Sequence, residues 1–157
     1  MKNTIQLSLF LLVGILGLSS CAATKMAKYM NGHQAMLQEA IAGNLSPEQK
    51  LDVVANSFVT ALEESLSYSS TRQSIKHVNQ YSKANEKQLN ILLKGLDGWV
   101  ANMSTADKMM MLGQLASKPY ASKLIDLVPK FERKVNRKIT TFKIAGKILG
   151  LVKPKLF

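Results

Sequence analysis

Few side chains in this chain are equipped for chemistry. Its 157 residues include one cysteine, Cys21, and two histidines, His33 and His77. Neither histidine lies in an HExxH pattern. There is no GxSxG elbow, no glycine-rich phosphate loop and no DxDxDG calcium loop. Glu63 and Glu64 are adjacent on an expected helix and so project to different sides. They read as a solvated face, not as a general acid/base pair. Met26, Met30 and His33 recur at spacings of four and three, with Met36 nearby. Thioether and imidazole ligands suit Cu(I), but methionine at helical spacing fills cores. No metal site is therefore expected, Met26, Met30 and His33 being the residues a metal would use. Met109, Met110 and Met111 cannot all face one ion and read as packing. The expectation is a protein that is not an enzyme and needs no cofactor.

The cysteine has a context of its own. Lys2 supplies a short positive segment, and Ile5 to Leu18 is an apolar run of 14 residues broken only by Gln6, Ser8, Gly14 and Gly17. That is short for a bilayer-spanning helix, which needs about 20 residues, and matches the apolar region of a signal peptide. Leu18-Ser19-Ser20-Cys21 follows. This segment resembles the lipobox of bacterial lipoproteins: an aliphatic residue, two small residues, then cysteine. The resemblance covers the first 21 residues alone, and no domain family is recognised over 22–157. It implies removal of residues 1–20 and acylation of Cys21. Two or three acyl chains hold a protein on a bilayer persistently, at about 0.8 kcal/mol per buried CH₂. Lipidation at Cys21 also leaves no thiol for disulfides, metal ligation or nucleophilic catalysis. Ala22-Ala23-Thr24-Lys25 carries no aspartate of the kind that retains enterobacterial lipoproteins in the inner membrane. The resemblance thus implies a place in the bacterial cell envelope, on the outer membrane facing the periplasm if the source is Gram-negative.

The elements that would carry these residues read as helices. Met26, Met30, His33, Leu37 and Ile41 form one face of a helix over 22–42, stopped by Gly43-Asn44. Ser46-Pro47-Glu48-Gln49 supplies an N-cap, a proline at N1 and a capping box. Leu51, Val54, Phe58, Leu62 and Leu66 then make a stripe over 46–67. A third helix over 71–97 carries Ile75, Val78, Leu89, Leu92 and Leu96, with a polar middle, Asn79 to Gln88, that bends or projects into solvent. Ser104 caps a fourth with Met109, Met110, Leu112 and Leu115. Pro119 starts a short helix with Leu124, Ile125 and Val128, and Pro129 kinks or restarts the chain. The expected fold class is all-α: a small bundle of about four helices with a basic amphipathic C-terminal helix. The expected organisation is a signal peptide at 1–20, a helical domain at 21–128 and a basic tail at 129–157.

Charge is segregated along the chain. The whole carries 21 Lys+Arg against 10 Asp+Glu. Residues 21–117 come close to neutral, with 9 basic and 8 acidic side chains, whereas 118–157 hold 11 basic and 2 acidic. Lys130 to Val152 can be drawn as one amphipathic helix. Phe131, Val135, Ile139, Phe142 and Leu149 fall on one side. Lys130, Arg133, Lys134, Arg137 and Lys138 fall opposite, flanked by Lys143 and Lys147. A helix of this pattern either lies on an anionic surface or packs its stripe on the bundle beneath solvated lysines.

The partners these features imply are a membrane, reached through the N-terminal lipid, and an anionic lipid, lipopolysaccharide, peptidoglycan or an acidic protein at the seven basic residues. Nucleic acid is disfavoured, because the tail has few interleaved aromatics and the leader directs the chain to the envelope. The expected role is a non-enzymatic, lipid-anchored structural or interaction protein. The alternative is a periplasmic module that takes a small ligand or metal in the bundle interior.

Overall fold

The computed structural model describes residues 23–152, which fold as seven α-helices and one 3₁₀ turn. The leader, the lipobox residues Leu18, Ser19 and Ser20, and Cys21 lie outside the described residues. Helix α1 spans 23–42 and turns Met26, Met30, His33, Leu37 and Ala40 inward. It ends where the Gly43 N–H bonds the Glu39 carbonyl at 2.8 Å. A Cβ at Gly43 would stand 2.9 Å from that same oxygen, so the close approach requires glycine.

Helix α2 (Pro47–Leu66) is the axis of the bundle and packs on α1 and on α3 (Thr71–Ala84), α4 (Glu86–Ala101), α6 (Pro119–Val135) and α7 (Lys143–Val152). Its start is the capping box seen in the sequence: Gln49 N–H donates to Ser46 Oγ at 3.2 Å, and Ser46 N–H donates to Gln49 Oε1 at 2.9 Å. With neighbours on several sides it buries more than a stripe, including Ala55, Ser57, Val59, Ala61 and Ser65.

The described residues are all-helical, but their helices are more numerous than about four. The single helix expected over 71–97 is two, because the chain breaks at Asn85 (φ −108°, ψ 9°). The polar middle bends there and does not project into solvent: Tyr81 and Asn85 are both fully buried, and Asn85 Nδ2 donates to the Tyr81 carbonyl at 2.9 Å. In α5 (Thr105–Ser117) the core face is Met111 and Leu115; Met109 and Met110, expected inside, are each 61% exposed.

The C-terminal quarter differs most. Helix α6 runs through Pro129 and ends at Asn136, whose left-handed φ of 50° stops it. Asparagine tolerates that conformation better than most residues. A 3₁₀ turn (Ile139–Thr141) and α7 follow, so the single helix drawn over 130–152 is interrupted. Its apolar stripe does not reach any surface. Phe131, Val135, Ile139, Phe142 and Leu149 are all buried in the same core cluster as Leu51, Phe58 and Leu89. Phe131 and Phe142 meet edge-on at 5.7 Å.

Candidate functional site

Two groups of polar residues share one end of the bundle. This end is formed by the start of α1, the turn between α2 and α3, and the turn after α6. Three side chains hold it together. Lys25 Nζ lies over the Tyr29 ring at 5.5 Å and the Tyr68 ring at 5.7 Å. Lys134 Nζ donates to the Leu66 carbonyl at 3.0 Å and also to the Tyr68 carbonyl. Thr71 Oγ1 donates to the Lys134 carbonyl at 3.1 Å. The terminus of α6 is thereby fixed beside the start of α1, although more than 100 residues separate them in the chain.

The seven basic residues expected to form one face take different places. Arg133 and Arg137 are exposed at this end and have no carboxylate partner among the described residues. Arg137 stacks over Phe142 at 6.0 Å. Lys138 is 80% exposed and reaches Glu132 at 3.3 Å. Lys134 is turned inward to bind the carbonyls that end α2. Lys130 pairs with Asp126 one turn earlier, at 2.7 Å. Lys143 and Lys147 are exposed on α7, on the far side of the break. Arg72 and Lys25, not expected in the group, are exposed at the same end as Arg133 and Arg137.

Beneath this end lies a buried polar cluster that the sequence did not announce. His33 on α1 and His77 on α3, 3% and 0% exposed, both reach one oxygen of Glu64 on α2. The His33 Nε2–Glu64 Oε2 distance is 2.9 Å and the His77 Nε2–Glu64 Oε2 distance is 3.1 Å. A carboxylate only accepts, so each Nε2 carries the proton. In the neutral ring His33 Nδ1 accepts from Ser57 Oγ at 3.1 Å, and Ser57 then accepts from the Tyr81 hydroxyl at 3.0 Å. Burial pushes the Tyr81 hydroxyl up, the Ser57 hydrogen bond partly opposes this, and the phenol keeps its proton. Burial is the largest single influence on Glu64 and raises it, but the hydrogen bonds from His33 and His77, together with their electrostatic attraction, outweigh it and hold the carboxyl below its ordinary value. His77 is flanked by the Tyr68 ring at 5.4 Å and the Tyr29 ring at 5.8 Å.

Glu64 is therefore not on a solvated face. Glu63, its neighbour, is: it pairs with Lys123 at 3.0 Å and is 43% exposed. Seen as a line, Glu64–His33–Ser57 has the order of an acid–base–nucleophile relay. Ser57, however, is wholly buried and hydrogen-bonded to Tyr81, so no substrate carbonyl reaches its Oγ. Met26 and Met30 are core residues on the inner face of α1, and both His33 ring nitrogens are engaged. No group of three or more His, Cys, Asp or Glu among the described residues is arranged to hold a metal ion.

The opposite end carries an open cleft of about 410 Å³, lined by Trp99, Met103, Met110 and Met111 and by the polar Glu48, Asn102, Asp107 and Gln114. No described helix is long and apolar enough to cross a membrane. No protein-family model matches the chain, and no curated protein or solved structure was found to be similar to it.

Proposed function

We propose that this chain is a non-enzymatic, lipid-anchored helical protein of the bacterial cell envelope, held by lipid on Cys21 and using exposed basic residues to contact an anionic surface. On this reading it sits on the outer membrane facing the periplasm where the source is Gram-negative. The observation that carries the surface contact is the set of exposed cations without carboxylate partners, Arg133 and Arg137 with Arg72 and Lys25, gathered at one end of the bundle. The anchor rests on Leu18-Ser19-Ser20-Cys21. The non-enzymatic part of the reading treats the Glu64–His33–Ser57 line as packing, since Ser57 is wholly buried and hydrogen-bonded to Tyr81.

The contact is electrostatic. With Phe131 and Phe142 in the core, the stripe they belong to is not available for insertion, so the contact at this end rests on charge and falls with ionic strength as exposed charges are screened. The test of the anchor is direct. Expressed in a bacterium, the wild type takes up a palmitate analogue and fractionates with membranes, and Cys21→Ser loses the label. Equal labelling of the mutant, or a wild type secreted free of membranes, refutes it.

The cleft beside Trp99 favours a second reading, a module that takes a small ligand at the other end of the bundle. Its aromatic and thioether lining stands beside four polar residues, two of them carboxylates, which suits a small ligand with both apolar and hydrogen-bonding parts.

A further inference from the structure

We propose that the end of the bundle bearing Lys25, Arg72, Arg133, Arg137 and Lys138 lies against the anionic headgroups of the same leaflet that holds the Cys21 lipid. The inference rests on the lipid anchor proposed above and names the surface that the cations meet.

Three observations lead to it. The first is reach. Cys21 is two residues before Ala23, where the description of α1 begins. Two residues span at most about 7 Å. That is within one Debye length, about 8 Å at physiological ionic strength. A lipid on Cys21 therefore keeps the start of α1 within electrostatic range of the headgroups.

The second is placement. The Tyr68 turn ties the start of α1 to the end of α6. Lys25 sits over the Tyr68 ring, Lys134 binds the Leu66 and Tyr68 carbonyls, and Thr71 binds the Lys134 carbonyl. Arg133, Arg137 and Lys138 are thus delivered to the anchored end, not to the far one.

The third is sign. The carboxylates described at this end are held by their own partners. Glu132 accepts from Lys138 and from the Ile139 N–H at 2.9 Å, and Glu64 accepts from the two histidines. The arginines stay free to meet phosphate. Peptidoglycan, lipopolysaccharide or an acidic protein would have to reach into the gap between this end and the bilayer, which a two-residue connection keeps narrow. The surface already there is the leaflet itself.

Once Cys21 is lipidated, the mature chain has no free thiol, so a single new cysteine gives a unique reporter. The experiment uses mature lipoprotein, its Cys21 lipid verified by mass, in neutral phosphatidylcholine vesicles and in vesicles containing phosphatidylglycerol. A fluorophore is placed at Ser69→Cys, in the α2–α3 turn, or at Ala101→Cys, at the far end, and quenched by headgroup-labelled lipid. Quenching at 69 should be several-fold stronger in anionic than in neutral vesicles at low salt, with little at 101 in either. High salt, or Arg72→Gln with Arg133→Gln, Arg137→Gln and Lys138→Gln, should return position 69 to its neutral-vesicle level while circular dichroism stays helical.

Equal quenching at 69 in the two vesicle types, or equal quenching at 69 and 101, overturns the proposal. Co-sedimentation with purified peptidoglycan or lipopolysaccharide, without an anionic-vesicle effect, overturns it in favour of that polymer. If the mass shows no lipid, the anchor reading fails separately. Flotation of the unlipidated full chain then decides the surface: a salt-sensitive preference for anionic vesicles, lost in the four-glutamine variant, supports it, and no preference refutes it.

Discussion

Glu64→Ala should be among the most damaging single changes at a non-apolar position, although its neighbour Glu63→Ala should do little. Glu64 Oε2 accepts from two buried histidine donors, at 2.9 and 3.1 Å. Removing it strands both. A buried donor left without a partner costs about 1–3 kcal/mol, so two cost about 2–6 kcal/mol. The Glu64 side chain is 13% exposed. Water can follow the truncation and recover part of that loss, which brings the expected cost to about 2–4 kcal/mol. Glu63, paired with Lys123 at half-exposed positions, should cost no more than about 1 kcal/mol. Glu64→Gln keeps an acceptor oxygen but loses charge assistance, which roughly doubles the strength of such bonds, and should fall between the two.

Urea unfolding of the full mature chain, followed by circular dichroism, reads these differences as midpoint shifts at constant slope. The pH dependence supplies a second reading. Because the folded carboxyl is held below its ordinary 4.5, the unfolded chain binds the proton more readily. The stabilisation from this shift is present above 4.5 and disappears as pH falls below it through the folded value. The contribution of the Glu64 charge, measured against Glu64→Gln, should therefore shrink in that acidic range. A Glu64→Ala midpoint indistinguishable from that of Glu63→Ala would refute the shared-carboxylate account of this core.

Two further outcomes follow from the packing and the cleft. Phe58→Ala and Phe131→Ala should each destabilise by about 3–5 kcal/mol in the same urea assay, since both rings are buried; a Phe131→Ala variant that keeps wild-type stability would return that ring to a surface. Trp99 is the one tryptophan in the chain, so tryptophan fluorescence reports on the cleft and the space next to it. Titration with small apolar ligands should shift its emission if the second reading holds, and an unchanged spectrum across the set counts against it.

The division between sequence and tertiary structure follows from the range of the forces involved. Helical periodicity, the Ser46–Gln49 capping box, the Ser104 cap and the stop at Gly43 are local, and all were legible in the residues. The inward face of α1 was equally plain, His33 included, because i, i+3 and i+4 spacing acts within a single helix. The break at Asn85 was half legible: a polar stretch announced a bend, but only packing shows that Tyr81 and Asn85 fill the interior there. The stripe from Phe131 to Leu149 was legible as apolar, yet periodicity cannot say whether a stripe meets a bilayer or a core. Asn136 in the left-handed region decides it by folding the stripe back onto α2, α3 and α4. The convergence of His33 and His77 on Glu64 had no signal in the chain, for the three are 13 to 44 residues apart and sit in no motif. Only the docking of α1 and α3 on α2 gives two histidines one carboxylate, and only the Tyr68 turn sets the cations of α6 beside the start of α1.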